Sequence, residues 1–245
     1  MMKQPKILIV KTGDTFADLI GSFGDFEDWI RQGLGVGEDQ VQVVNAAAFA
    51  PLPEPGTFSG AVIAGSHAMV TQNLDWSLAV EAWLAPVVTA GVPVLGICYG
   101  HQLLAKAMGG KVDFHPDGLE IGTTPITLTA DALSDPLLHG LPPVFNAHTC
   151  HSQTVLTLPP GAVILAENPH EPLHAFRLGR AAWGVQFHPE YTPDIMAGYI
   201  RNMSPVIQAL GKDPDRVQAQ VTDTPEAGQV LARFAGLCSH DNTVL

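Results

Sequence analysis

The segment PVLGICYGHQ, Pro93–Gln102, contains a cysteine with a glycine two positions away on each side, Gly96 and Gly100. This G-x-C-x-G pattern after an apolar run is typical of a nucleophile elbow, where the reactive side chain stands at a cramped strand-to-helix turn. The N-terminus of the following helix would favour thiolate over thiol. Cys98 is therefore a candidate nucleophile, although by this pattern alone a small buried cysteine is an equal alternative.

A second segment, WGVQFHPEY (Trp183–Tyr191), supplies a candidate base and a carboxylate to orient it. His188 precedes Pro189, which favours extended backbone at the histidine, and residues two apart on an extended chain face the same side. We therefore expect Glu190 to hydrogen-bond one ring nitrogen of His188 and leave the other for Cys98. Taken alone, H-P-E is more often a turn with an exposed ion pair.

The two motifs together, PVLGICYGHQLLAKAMGG and GVQFHPE, resemble those of class I (triad-type) glutamine amidotransferases. The resemblance extends from about Lys6 to Ile200 and is closest to small stand-alone members similar to the amidotransferase domain of GMP synthase. It implies that Cys98 is the nucleophile, His188 the general base and acid, and Glu190 the orienting carboxylate.

The resemblance also implies an oxyanion hole and a substrate contact. The backbone N–H of Tyr99 is expected to be one oxyanion donor. The second donor follows a glycine pair in the family, where this chain has Gly65 and Ser66. Ser66 keeps a backbone donor but has less access to unusual φ values than glycine. Gln102 matches a glutamine that contacts the amino-acid end of the substrate.

The substrate loop of the family often reads S-H-G-D, and the matching stretch here is CHSQ: Cys150, His151, Ser152 and Gln153. Gln153 replaces the aspartate, which weakens the case for recognising the α-amino group of free glutamine at this point. A glutamine here is seen in related γ-glutamyl hydrolase-like members, so the replacement bears on the substrate.

The stretch HTCH contains metal-ligand residue types at His148, Cys150 and His151. Their spacing matches no common structural zinc pattern and no fourth ligand is indicated, so we expect neither a metal nor a cofactor. Four further histidines are expected to be surface or loop residues: His67, His115, His170 and His174.

The order of predicted elements indicates an α/β fold. Strands at residues 6–10, 40–46, 61–65 and 92–98 alternate with helical patterns, which predicts a doubly wound, mostly parallel sheet with helices on both faces. From about residue 110, strands joined by short turns predict an antiparallel extension. The resemblance implies a flavodoxin-like domain at residues 1–203, with a helical C-terminal tail at 204–245 packed on it.

Composition narrows the function classes. The 245 residues carry a net charge of −12 without any cluster of Lys or Arg, so a nucleic-acid partner is not expected. Three cysteines at unrelated spacings do not suggest a disulfide framework. With no signal peptide and no apolar run of about 20 residues, we expect a cytoplasmic protein without membrane contact.

The implied reaction is attack of Cys98 on the γ-carboxamide of a small-molecule substrate, with ammonia released to an acceptor. No P-loop or other ATP signature is visible, so if the protein is an amidotransferase, the synthetase subunit that activates the acceptor must be a separate protein. Two alternatives remain: a stand-alone γ-glutamyl hydrolase or peptidase with the same triad, and a non-catalytic partner-binding module on this scaffold.

Overall fold

A mixed sheet of nine strands forms the centre of the computed structural model, which describes residues 5–239. Nine strands of the described residues form this sheet and two more, β5 and β8, form a separate ribbon. In chain order they are β1 (Ile7–Lys11), β2 (Val41–Asn45), β3 (Gly60–Ile63), β4 (Val94–Ile97), β5 (Lys111–Phe114), β6 (Glu120–Leu128), β7 (Val144–His151), β8 (Gln153–Thr157), β9 (Ala162–Glu167), β10 (Ala175–Leu178) and β11 (Ala182–Val185). The helices are α1 (Ala17–Phe23), α2 (Phe26–Leu34), α3 (Asp75–Thr89), α4 (Tyr99–Ala107), α5 (Pro193–Ala209), α6 (Pro214–Gln218) and α7 (Pro225–Ser239).

The strand order is β2-β1-β3-β4-β11-β10-β9-β6-β7, and β5 pairs with β8 in a separate ribbon. The first five strands are parallel and the other four continue antiparallel. This confirms the predicted α/β fold with an antiparallel extension. The apolar run of β1 is buried on both faces, Ile7 and Ile9 on one side and Leu8 and Val10 on the other.

Helices cover both faces of the sheet. Trp29 of α2, Ile200 of α5 and Phe234 of α7 pack in one apolar cluster, while α3 and α4 contribute Val80 and Leu103 to the opposite one. Asp25 caps α2 as part of a capping box with Asp28, which satisfies N–H groups at the start of the helix. Helix α1 has no counterpart among the predicted elements.

The C-terminal segment continues without a break from the helix that precedes it. Helix α5 continues through residue 203, where the predicted domain boundary lies. Helix α7 packs closely on α2, because a Cβ on Gly33 would lie 2.4 Å from Leu231 Cδ1. The division at 203 stays a prediction, and residues 240–245 of the predicted tail lie outside the described residues. None of the helices within residues 5–239 has the length and apolarity to cross a membrane.

Candidate active site

Cys98 stands between β4 and α4 in a backbone conformation that few residues adopt. Its φ of 49° and ψ of −98° lie outside the left-handed helical region occupied by the positive-φ residues Phe49 and Asn73. A Cβ on Gly96 would lie 2.3 Å from the carbonyl oxygen of Gly100, and one on Gly100 would lie 2.3 Å from the Ile63 carbonyl oxygen. Both glycines are therefore required by backbone contact around the strained elbow.

The neighbouring strand β11 brings His188 to the same edge of the sheet. Gly184 and Val185 pair with residues of β4, and the Cys98 N–H donates to the Val185 carbonyl over 2.8 Å. Parallel neighbours end at one edge, so the residues that follow both strands meet there. The His188 N–H donates to the His148 carbonyl, also over 2.8 Å, which fixes the backbone of His188 against β7.

Glu190 lies beside the His188 ring, with 2.7 Å between His188 Nδ1 and Glu190 Oε1. His188 lies in an isolated β-bridge, but Pro189 and Glu190 form a turn. The expected hydrogen bond is therefore made across a turn and not by alternation along an extended chain. The ring of Tyr191 stacks on the His188 ring with centroids 3.9 Å apart. The turn therefore presents two side chains to one imidazole.

The protonation of His188 follows from two opposing effects. Burial disfavours the imidazolium, but attraction to Glu190 and to nearby Cys98, with the hydrogen bond to Glu190, outweighs burial and raises the pKa of His188 to about 10. The His188 ring is therefore protonated on both nitrogens at neutral pH and lies charged near Cys98.

Two backbone segments near Cys98 offer donors for an oxyanion. Tyr99 is the first residue of α4, and N–H groups in a first helical turn have no acceptor within the helix. Thr12 Oγ1 donates to the Gly65 carbonyl over 2.7 Å, so the Ser66 N–H, trans to that carbonyl, points away from Thr12. Ser66 is not among the residues with positive φ, so serine fits here without backbone strain.

Gly65 lies against the His188 ring. A Cβ on Gly65 would be 3.1 Å from His188 Cε1 and 3.5 Å from Phe26 Cε1. The glycine therefore allows the loop after β3 to approach the imidazole, while Ser66, which follows it, is held by a 2.7 Å hydrogen bond from its Oγ to the Thr12 carbonyl.

Gln102 and Gln153 are buried polar residues linked to each other. Gln102 Nε2 donates to the Gln153 carbonyl over 2.7 Å and to Gln186 Oε1 over 2.9 Å. Gln153 Nε2 donates to Thr71 Oγ1 over 2.6 Å, so the side chain that replaces the usual aspartate joins β8 to the loop after β3. Gln186 and Thr71 were not predicted from the sequence, because each belongs to the site only through these long-range contacts.

The rest of the predicted substrate loop packs directly behind Cys98. Cys98 Sγ lies 3.7 Å from the Cys150 carbonyl oxygen, and burial raises the pKa of the Cys150 thiol. His151 uses both ring nitrogens: Nδ1 lies 3.0 Å from the Gln153 carbonyl oxygen and Nε2 lies 3.0 Å from Glu120 Oε2. Ser152 also lines the cavity above Cys98.

A buried ionic cluster, made of Glu120, His151 and His174, lies behind this loop. His174 Nε2 is 3.2 Å from Glu120 Oε2, and Asn168 Nδ2 donates to Glu120 Oε1 over 2.8 Å. Burial would raise the pKa of Glu120, but the hydrogen bond with His151 and the proximity of His174 hold it well below its usual range. His174 and His115 are loop residues, one of the two positions predicted for them, but both are buried.

His148 belongs neither to this cluster nor, within residues 5–239, to a group of side chains that could hold a metal ion. Its Nδ1 lies 3.1 Å from Thr123 Oγ1, and burial, with the nearby charge of His188, lowers the pKa of His148 to about 4. Within residues 5–239, no three His, Cys, Asp or Glu side chains are arranged to hold a metal ion.

A cavity of about 260 Å³ opens above Cys98. Its polar lining includes Ser66, Gln102, Ser152 and Gln153. The remaining lining is mostly apolar or aromatic: Phe16, His67, Met69, Leu119, Tyr199 and Met203. Tyr199 and Met203 are four residues apart on α5, a spacing that places both on one helix face. The same spacing is typical of helix residues in the hydrophobic core, so the sequence alone does not identify them as cavity residues.

Comparison with known proteins shows the family to which this chain belongs. The sequence matches the description "Glutamine amidotransferase class-I" over residues 24–203. It is 36% identical over 190 residues to "GMP synthase [glutamine-hydrolyzing]" of Aeropyrum pernix, covering 77% of this chain but 33% of that enzyme. It is 30% identical over 187 residues to "Gamma-glutamyl peptidase 5" of Arabidopsis thaliana, covering 75% of this chain and 70% of the relative.

The fold agrees with these matches. The crystal structure of a glutamine amidotransferase from Thermotoga maritima superposes with a TM-score of 0.76 and 18% identity, covering 97% of this chain and 100% of the other. The chain belongs to the class I glutamine amidotransferase family. It spans about a third of the length of the Aeropyrum GMP synthase and over two thirds of the plant peptidase.

Proposed function

We propose that this chain hydrolyses the C–N bond of a γ-glutamyl amide through a Cys98–His188–Glu190 triad. The observation that carries the proposal is a strained cysteine elbow at Cys98 near the buried imidazole of His188, whose Nδ1 is hydrogen-bonded to the Glu190 carboxylate. The similarity to a glutamine-hydrolysing synthase and to a γ-glutamyl peptidase supports cleavage of this bond.

The reaction begins with attack of the Cys98 thiolate on the γ-carbonyl carbon. The tetrahedral oxyanion accepts hydrogen bonds from the N–H groups of Ser66 and Tyr99. His188 gives its proton to the leaving nitrogen, and the C–N bond breaks to leave a γ-glutamyl thioester. Neutral His188 then removes a proton from water as the water attacks the thioester, and the products are glutamate and the restored thiolate.

Two forms of this activity differ in the amine released. In the amidotransferase form the substrate is glutamine and ammonia passes to a separate synthetase, which the similarity to GMP synthase supports. In the γ-glutamyl hydrolase form the amine is larger, which the similarity to γ-glutamyl peptidase supports. The link between Gln153 and Thr71 bears on both forms alike, because glutamine and the larger γ-glutamyl amides carry the same α-amino group.

The test combines turnover with labelling. Purified protein is assayed with glutamine and with γ-glutamyl peptides, and is separately treated with a glutamine-analogue chloroketone and examined by peptide mass spectrometry. We expect alkylation at Cys98, and loss of both labelling and turnover in Cys98→Ala. Cys238→Ala serves as control, because Cys238 is buried against Gly60 far from the cavity lining.

Undiminished turnover by Cys98→Ala would refute the triad. Absence of turnover together with absence of Cys98 labelling would instead favour the non-catalytic binding module.

A further inference from the structure

One side of the cavity is built from rings and a thioether, here called the aromatic wall: Phe16, His67, Tyr199 and Met203. Phe16 and His67 have ring centroids 4.4 Å apart, and Phe16 and Tyr199 5.1 Å apart. His67 Nε2 lies 3.1 Å from the Tyr199 hydroxyl, so the polar atoms of the wall bond to each other. Three separate segments therefore converge on one apolar surface.

The aromatic wall lies on the His188 side of the cavity. Tyr191 stacks on His188 at 3.9 Å, and Tyr191 in turn lies 4.9 Å from Tyr199, both measured between ring centroids. His188 must protonate the leaving nitrogen of the substrate. The group attached to that nitrogen therefore has to extend along the aromatic wall.

The polar part of the cavity lining suits the γ-glutamyl part of a substrate. Gln102, Ser152 and Gln153 belong to it, and the first and last are held in place by the hydrogen bonds that join β8, α4 and the loop after β3. Amide and hydroxyl groups fit a polar amino-acid moiety, so the polar and apolar parts of the lining divide the substrate at the scissile bond.

The cavity also lacks a partner for a charged amine. None of the described residues lining it is Asp, Glu, Lys or Arg. Desolvation lowers the pKa of His67, and the nearby charge of His188 acts in the same direction, so the His67 ring is neutral at neutral pH. A cationic leaving group would lose its hydration here without compensation.

We propose that the amine released by this protein carries an uncharged apolar or aromatic substituent, and that this substituent packs on the aromatic wall. The substrate class is thus the γ-glutamyl amides of apolar amines, in preference to glutamine itself. This inference rests on the proposed function of the triad.

The experiment compares three amides with the same γ-glutamyl part: γ-glutamylmethylamide, γ-glutamylbenzylamide and γ-glutamyl-aminoethylamide. Burying an aromatic group on the wall is expected to give the benzylamide at least a tenfold higher kcat/KM than the methylamide. The aminoethylamide should be the poorest of the three. Glutamine is assayed alongside and should rank below the benzylamide.

Variants of the wall connect the preference to its residues. We define the ratio as kcat/KM for the benzylamide divided by kcat/KM for the methylamide. Phe16→Ala and Met203→Ala should each lower this ratio to about one, because each removes an apolar surface that the benzyl group contacts. Val206→Ala is the matched control, because Val206 lies on the same helix α5 but is exposed and outside the cavity lining. It should leave the ratio unchanged.

The outcomes separate the two proposals. A wild-type ratio near one, or a high ratio that survives both wall variants, would overturn the inference while leaving the triad intact. Absence of any Cys98-dependent cleavage of all the amides would overturn the proposed function, and the inference with it.

Discussion

Two of the buried His–Glu pairs within residues 5–239 differ in what surrounds the histidine, and we propose chemistry for one of them. His188 and Glu190 are 2.7 Å apart, and His151 and Glu120 are 3.0 Å apart. Distance and burial are therefore nearly the same in both. What differs is the second ring nitrogen: that of His151 bonds to the Gln153 carbonyl, whereas the ring of His188 bonds Glu190 through Nδ1 and lies near Cys98.

The comparison shows that a histidine–carboxylate pair does not by itself make a catalytic base. A base needs one ring nitrogen held and the other directed at a transferable proton. When both nitrogens are engaged within the fold, the same pair becomes a structural tie, here fixing the loop that lies behind Cys98.

The largest expected effect comes from the same substitution made in each pair. His188→Gln should lower kcat/KM on the order of 10⁵-fold, because it removes the proton carrier. His151→Gln should act mainly on KM and on thermal stability, because it loosens the substrate loop. Initial rates and melting curves of both variants test this. Equal losses of kcat in two folded variants would contradict the distinction.

Glu190→Gln should lower kcat about 10³-fold, because the imidazolium loses its counter-charge. The pH dependence gives a sharper readout. Glu190 helps to raise the pKa of His188 to about 10, so the wild-type rate should decline only as the pH approaches that value and the general acid loses its proton. Without the carboxylate, burial dominates and lowers that pKa. The alkaline limb of the rate profile should therefore move to lower pH, and an unmoved limb would count against the pair.

Glu120→Gln should reduce the free energy of unfolding by about 2–3 kcal/mol, the range of hydrogen bonds to charged groups. The sign of the pH effect follows from the lowered pKa of Glu120. Its stabilisation is fully present above the ordinary carboxyl pKa and is lost as the pH falls toward the folded-state value. Denaturant curves at pH 7 and pH 4 should thus show a smaller difference between variant and wild type at pH 4. A constant difference would argue against the ion pair.

The smallest effect concerns the approach of Gly65 to His188. Gly65→Ala should lower kcat about tenfold, because a Cβ 3.1 Å from His188 Cε1 displaces the ring by a few tenths of an ångström. Gly21→Ala is the control, since nothing lies within 4 Å of the Cβ position at Gly21. The measurement is the initial rate of both variants with one amide substrate. A Gly65→Ala enzyme as fast as Gly21→Ala would show that the close approach of Gly65 to His188 is not needed for the rate.

Local patterns predicted much of the fold. The apolar runs of β1 and β4 and the capping residue Asp25 depend on neighbours a few positions away, so they were visible in the sequence. Helix α1 was missed because it has no side-chain cap and buries one residue, Leu19. The turn at Pro189 was misjudged as extended, because proline restricts the preceding residue but leaves the direction of the following chain open.

Motif spacing in the sequence by itself determined the candidate nucleophile, its base and the α/β class, since each depends on short-range chemistry or on resemblance at short motifs. Tertiary structure alone decided which histidine keeps a ring nitrogen for Cys98, where Gln153 directs its amide, and which rings meet as the aromatic wall. The physical reason is that these are contacts between segments tens of residues apart, such as Glu120 with His151 and Phe16 with Tyr199. Such contacts exist only once β6 pairs with β7 and α5 packs near the edge where the parallel strands end.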